Sequence, residues 1–290
     1  MVIDCSRYLN KIIEFKEKER SITVQPGLVL DHLNAFLKPY GLFFPVDIST
    51  GSRATIGGMT ANNSCGARSI HYGIMVDNVR SIDAFLPMGG HFKFSDTPNN
   101  IDELEERRGY KQIVKQVREI AEREKNELDK RFPKLKRRVG GYNLDAVDPI
   151  GHNMAKMLVG SEGTLATFKS IELQLHDIPK HRVMGVCHFP NFYAAMDATQ
   201  HIVKLNPVAV ELIDRTMIDL AKDIPIFRPV VESFVKGEPG ALLLVEFASE
   251  QFECLPRKLK ELDQLMGELG YQDAIVEALD PSFQARITEV

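Results

Sequence analysis

The stretch with the most chemistry in it runs Ala54-Thr55-Ile56-Gly57-Gly58-Met59-Thr60-Ala61-Asn62-Asn63-Ser64-Cys65-Gly66. Two adjacent glycines let the main chain approach a ligand closely, because no Cβ stands between them. Successive N–H groups in such a bend form an anion-binding nest. Asn62, Asn63 and Ser64 add short polar side chains, and Gly66 permits a further bend. Those groups suit a diphosphate held without a lysine. The same residues also read as a buried glycine-rich corner with a polar helix cap. Taken alone, the thirteen residues leave both readings open. Neither a Gly-x-Gly-x-x-Gly loop nor a Gly-x-x-x-x-Gly-Lys-Ser/Thr loop is present, so the commoner nucleotide folds gain no support.

Three other places carry reactive residue types. Val159-Gly160-Ser161-Glu162-Gly163-Thr164 contains a serine between glycines, but Val159 stands where the first glycine of a nucleophile elbow belongs. Lys134-Leu135-Lys136-Arg137-Arg138 is a basic run ending at Gly140-Gly141-Tyr142-Asn143. It reads either as a solvated loop or as a positive lip for an anionic substrate, since a guanidinium grips a carboxylate with two parallel hydrogen bonds. Cys5, Cys65, Cys187 and Cys254 show no Cys-x-x-Cys spacing, so no zinc or iron–sulfur ligand set is expected within the chain. Cys65 and His71 invite a covalent cofactor tether. A small buried thiol and a locally hydrogen-bonded imidazole are the readings preferred for them.

The 290 residues carry 36 Lys+Arg against 40 Asp+Glu, so no basic field favours nucleic acid. Hydrophobic residues make up 44 %, enough for a packed core and for two domains. No apolar run approaches membrane-spanning length and the start does not read as a signal peptide, which makes the cytoplasm the expected location.

The elements that must position these residues follow from periodicity. Val2 to Cys5 and Ser21 to Gln25 read as strands, the second ended by Pro26-Gly27. Leu28, Leu30, Leu33, Phe36 and Leu37 share a helix face. Asn78 to Leu86 and His91 to Phe94 read as a hairpin turning at Met88-Gly89-Gly90. A charged amphipathic helix is expected as an insertion over about 101–131. Leu165 to Leu175 alternates as a strand. Past Pro179 the order strand 182–189, helix 192–205, strand 209–213, a helix capped by Asp214, strand 241–247, helix 255–269 and strand 274–279 is the βαββαβ ferredoxin-like plan with one extra helix. Pro281 to Val290 reads as the start of another helix.

In order, Val24-Gln25-Pro26-Gly27, Tyr40-Gly41-Leu42-Phe43-Phe44-Pro45-Val46-Asp47, the Gly57-Gly58 stretch, Tyr72-Gly73 with Asp77-Asn78-Val79, and Val159 to Ala166 form a series. That series resembles the FAD-binding domain of the vanillyl-alcohol-oxidase-like (PCMH-type) flavoproteins. The nearest resemblance is to the flavin-linked D-2-hydroxy-acid dehydrogenases of D-lactate, D-2-hydroxyglutarate and glycolate type. Val2 to Asn10 and Arg137 to Asp145 resemble the large bacterial branch, in which an iron–sulfur module often follows the flavoprotein.

The resemblance implies an α+β architecture. Residues 1–179 would form the second half of the FAD-binding domain and 180–290 a ferredoxin-like substrate cap, both incomplete. It implies that Thr55, Gly57, Gly58, Asn62, Ser64, Gly66, Glu162, Gly163, Thr164 and Thr167 line FAD. Pro45 and Asp47 would flank its adenosine or diphosphate end, and Arg138, Tyr142 and Asn143 would face a 2-hydroxy-acid substrate. No general base and no metal ligand is assigned. The expected reaction passes a hydride from the α-carbon to the flavin and then electrons to a quinone, a cytochrome or an iron–sulfur partner. A Gly-Gly-Gly-Thr-Ser loop is expected ahead of a strand such as Val2 to Cys5, and Met1 stands where it would end. The chain is therefore expected to be an internal piece of a larger flavoenzyme, binding FAD weakly or not at all by itself. Two rival expectations stand beside this one. One is another substrate class on the same scaffold, such as a sugar oxidase or an ether-lipid synthase. The other is a non-catalytic subunit that completes a flavin site with a second polypeptide.

Overall fold

The computed structural model describes residues 3–104, 109–147 and 152–289, and the chain divides between Ile178 and Pro179 into two compact units.

In the first unit, β1 (Ile12–Lys16), β2 (Ser21–Val24), α1 (Leu30–Leu37), β3 (Leu42–Phe43), α2 (Ile56–Ala61), α3 (Ser69–Tyr72) and α4 (Met75–Asn78) lead to the hairpin β4 (Val79–Phe85) and β5 (His91–Phe94). Then come α5 (Tyr110–Arg123), α6 (Lys125–Arg131), α7 (Ala155–Leu158), β6 (Thr167–Gln174) and β7 (His176–Asp177). The main sheet has the antiparallel order β1-β2-β6-β4-β5. Ile171 of β6 pairs with Val24 on one side and Ile82 on the other, and all three are fully buried. Leu30, Leu33 and Leu37 recur at helical spacing and lay α1 into the same core.

The expected strand over Val2 to Cys5 is not found. Val2 lies outside the described residues, and Ile3 to Cys5 form no ladder. This arm is held by turn contacts instead: the Gly27 amide donates to Leu9 O at 2.7 Å and the Gln25 amide to Lys11 O at 2.9 Å. The charged insertion is two helices. Tyr110, Val114 and Ala121 turn α5 inward, and Glu124 separates it from α6. The part of the charge run at 105–108 lies outside the described residues. Arg118 is buried on the inner face of α5, where its guanidinium donates to Thr97 Oγ1 at 2.8 Å, Pro98 O at 2.6 Å and Asn99 O at 3.1 Å. A buried cation needs such partners.

The second unit runs β8 (His181–Phe189), α8 (Phe192–Ile202), β9 (Ala209–Asp214), α9 (Arg215–Asp223), α10 (Arg228–Phe234), β10 (Ala241–Ser249), α11 (Leu255–Glu268), β11 (Ile275–Ala278) and α12 (Pro281–Thr288). The sheet order β11-β8-β10-β9 places the first and third strands at the centre, which is the ferredoxin-like arrangement. Alternation splits the side chains. Val183, Cys187, Leu243 and Val245 meet α8 and α11, while Met184, Val186, Leu242 and Leu244 meet α9, α10 and α12. Asp214 caps α9 through the Met217 amide at 2.9 Å. The extra helix expected after β9 is thus two.

His188 on β8 is buried beneath α10. Its Nδ1 lies 3.0 Å from both Val186 O and Ala274 O, and its Nε2 is 3.0 Å from the Lys236 amide. Burial lowers its pKa below the ordinary 6.5, outweighing the neighbouring carbonyls that favour the proton.

No helix among the described residues is long and apolar enough to cross a membrane. Nor do these residues contain a group of three or more His, Cys, Asp or Glu placed to hold a metal ion.

Candidate functional site

A cleft of about 580 Å3 opens in the first unit. One wall is Pro26, Thr55, Gly57, Gly58, Ala61 and Asn62. The other is Glu162, Gly163, Ala166, Thr167 and Phe168, with Ile3 to Ser6 along the rim. Two sequence segments a hundred residues apart therefore face one space.

Local backbone chemistry brings them together. Thr55 is extended and caps α2, its Oγ1 accepting the Gly58 amide at 3.3 Å. At the other end of α2 the carbonyls of Thr60 and Ala61 accept the amides of Gly160 and Glu162, each at 2.9 Å. Those carbonyls belong to a helix end and need partners from outside the helix. The second segment meets them by coiling into a tight turn in which Gly160, Glu162 and Gly163 all take left-handed φ, at 79°, 53° and 71°. Glu162 bears a cost on the order of 1 kcal/mol for that conformation. The turn buries Ser161, whose hydroxyl finds no partner among the described residues.

Of the residues implied as cofactor neighbours, the cleft brings together Thr55, Gly57, Gly58, Asn62, Glu162, Gly163 and Thr167. It does not include Pro45, Asp47, Ser64, Gly66 or Thr164 among its lining. Pro45 is buried. Asp47 accepts the Arg68 amide at 3.0 Å, and a Cβ on Gly66 would sit 1.5 Å from Asp47 O, so these residues shape a bend behind the cleft. Ser64 Oγ donates to Asn62 Oδ1 at 2.6 Å, and Thr164 Oγ1 lies 2.8 Å from Tyr142 Oη. The glycine amides are not an open nest. Gly57 donates to Pro26 O at 2.7 Å, and Gly58 is taken by Thr55.

The residues implied as substrate neighbours lie outside this lining as well. The Arg138 guanidinium is paired with Asp145, lies 3.3 Å from Asn143 Oδ1 and sits over the Phe132 ring at 4.8 Å. Its fork already holds a carboxylate. Asn143 is 1 % exposed and bonded to main-chain carbonyls, so it is not a surface contact. Pro26, Ala61, Ala166 and Phe168 join the site without any polar signal in the sequence. Cys65 lies off the cleft, with Arg137 Nη2 at 3.3 Å from its sulfur, and His71 packs edge-on against Tyr72.

Comparison with known proteins gives this geometry a setting. Residues 1–95 match the FAD binding domain, and residues 178–289 match the C-terminal domain of FAD linked oxidases. This chain belongs to the FAD-linked oxidase family. It is 34 % identical over 292 residues to a D-2-hydroxyglutarate dehydrogenase of Haemophilus influenzae, a match covering 94 % of this chain and 28 % of that protein. A Pantoea ananatis protein of the same name is 31 % identical with the same coverages. The mitochondrial D-lactate dehydrogenase [cytochrome] of Arabidopsis thaliana is 29 % identical over 203 residues, covering 69 % of this chain and 27 % of that protein. The chain thus spans a little over a quarter of the length of these relatives. A solved structure of alkyldihydroxyacetonephosphate synthase shares the fold, with a TM-score of 0.63 and 18 % identity, covering 98 % of this chain and 45 % of that one.

The two matched domains indicate FAD as the cofactor. The cleft volume lies in the usual range for small-molecule sites. A Cβ on Gly163 would meet nothing within 4 Å, so that face is open. The charges in the lining are Asp4 and Glu162, with no Lys or Arg. Such a lining fits the neutral ring and ribityl hydroxyls of FAD and disfavours its diphosphate.

Proposed function

We propose that this chain supplies one side of the FAD site of an enzyme that oxidises a D-2-hydroxy acid to the 2-oxo acid. One observation carries the reading: the segments 55–62 and 162–168 converge on one cleft whose wall is open at Gly163. The names of the curated relatives support the substrate class. FAD, when bound, supplies the two-electron acceptor. Gly58 and Gly163 leave room for it, Asn62 and Thr167 offer polar contacts, and Ala61, Ala166 and Phe168 exclude water. Arg138 receives the substrate carboxylate in exchange for Asp145, with Tyr142 beside it. An iron–sulfur or similar acceptor would take the electrons onward, and the unmatched length of the relatives leaves room for one.

The test uses the purified chain for cofactor binding and, for the reaction, the chain joined to the segments by which its relatives exceed it. Added FAD should give weak but saturable quenching of flavin fluorescence. D-2-hydroxyglutarate or D-lactate, but not the L-acids, should then bleach the flavin under anaerobic conditions. Absence of quenching removes the cofactor site; quenching with no bleaching by either D-acid removes the substrate class.

A further inference from the structure

Asn143 spends nearly all of its hydrogen-bonding capacity on the main chain behind the cleft. Its Nδ2 donates to Val159 O at 2.8 Å and to Lys156 O at 3.3 Å, and its Oδ1 accepts from Arg138 Nη2. A carboxamide has two donors, and both are used here. The two carbonyls belong to the end of α7, immediately before the turn at Gly160, where a four-residue helix has no further amides of its own to offer. The Gly160 and Glu162 amides are themselves committed to Thr60 and Ala61.

From the opposite side, Asn63 holds the strip that carries Asn143. It is 1 % exposed, accepts the Val76 amide at 3.0 Å and donates to Arg138 O at 3.3 Å. Gly160 lies close by, its missing Cβ 3.3 Å from Asn63 Cβ. The strip 138–143 is thereby clamped between the glycine-rich corner and the end of α7. An apolar side chain at 143 would fill the space but leave two buried carbonyls without donors.

We infer that Asn143 is a positioning residue for the cofactor cleft: by holding the carbonyls of Lys156 and Val159 it sets where the 160–163 turn begins, and so aims Glu162 and Gly163 into the cleft. The inference rests on reading that cleft as the FAD site. It replaces a substrate contact with a brace, and it accounts for a polar side chain buried where none meets solvent.

Asn143→Asp keeps the shape but points an oxygen at two carbonyl oxygens. Hydrogen–deuterium exchange on the purified chain without FAD should show the Gly160 and Glu162 amides exchanging about tenfold faster or more. Amides of β2 and β4, and of β8 and β10 in the second unit, should hold their wild-type rates. Asn143→Ser, which retains one donor, should fall between the two and serves if the Asp variant does not fold. In parallel, the variant's apparent dissociation constant for FAD should rise about tenfold. Unchanged exchange at 160 and 162, or equal acceleration at β2 and β4, overturns the inference. Failure of the wild-type chain to take up FAD would instead count against the cofactor site, leaving the exchange result to decide the brace.

Discussion

Gly58→Ala should raise stability and lower FAD affinity at once. Gly58 lies within α2 at an ordinary helical φ and faces the cleft. Alanine at an exposed helix position is worth about 0.8–1.0 kcal/mol over glycine. The new Cβ would lie 3.2 Å from Thr55 Oγ1, a close contact that costs a few tenths of that gain. The net is a stabilisation of roughly 0.5–1 kcal/mol, or about 1–4 °C in melting temperature for a unit of this size. The same methyl occupies the cleft wall, where overpacking costs about 1–3 kcal/mol and so weakens FAD binding about tenfold or more. Thermal melts without FAD and fluorescence titration with FAD read the two effects separately. An unchanged FAD constant beside a raised melting temperature would show that FAD does not pass over Gly58. A melting temperature lowered by several degrees would refute the account of α2.

Three further outcomes follow from the structure. Arg118→Met, removing the buried guanidinium from Thr97, Pro98 and Asn99, should cost about 3 kcal/mol in urea unfolding, and a loss below about 1 kcal/mol would contradict its anchoring role. Because burial depresses the pKa of His188, the unfolded chain takes up a proton below pH 6.5 that the folded unit refuses; stability of the second unit should therefore fall as pH drops below 6.5, and His188→Gln should flatten that slope in urea midpoints measured at several pH values. Asp145→Asn releases the fork of Arg138 and should lower the apparent KM for a D-2-hydroxy acid about fivefold, whereas a rise in KM would mean that the pair is purely structural.

The parts of the fold written in the sequence pattern were legible: Leu30, Leu33 and Leu37 spell α1, and the continuous apolar run from Ala241 to Phe247 spells a central strand of the second unit. β1 escaped because Ile12 to Lys16 is an edge strand with no buried residue amid charges, and no clean alternation to read. α10 was not expected separately from α9; Pro229 sits in its first turn, where its missing N–H is not needed. The cleft was legible only through the ordered resemblance, since nothing local connects Gly58 to Gly163. Residue type alone did not show that Arg138 is paired with Asp145 or that Asn143 is buried. An arginine before a glycine pair suggests a ligand site, and nothing around it announces that Asp145 occupies its fork in the absence of ligand. Burial of an asparagine leaves no trace in the sequence around it.

The capping of α2 by amides from Gly160 and Glu162 also bears on biosynthesis. During translation this six-residue helix emerges with open carbonyls and must wait for some hundred more residues before they are covered. β2 waits longer still, since its neighbour β6 arrives after residue 167. Pairings so distant along the chain slow folding and keep strand edges exposed on the ribosome. A nascent chain stalled before residue 160 should therefore be a ready client for chaperones, and one stalled beyond residue 178 should already hold the first unit closed.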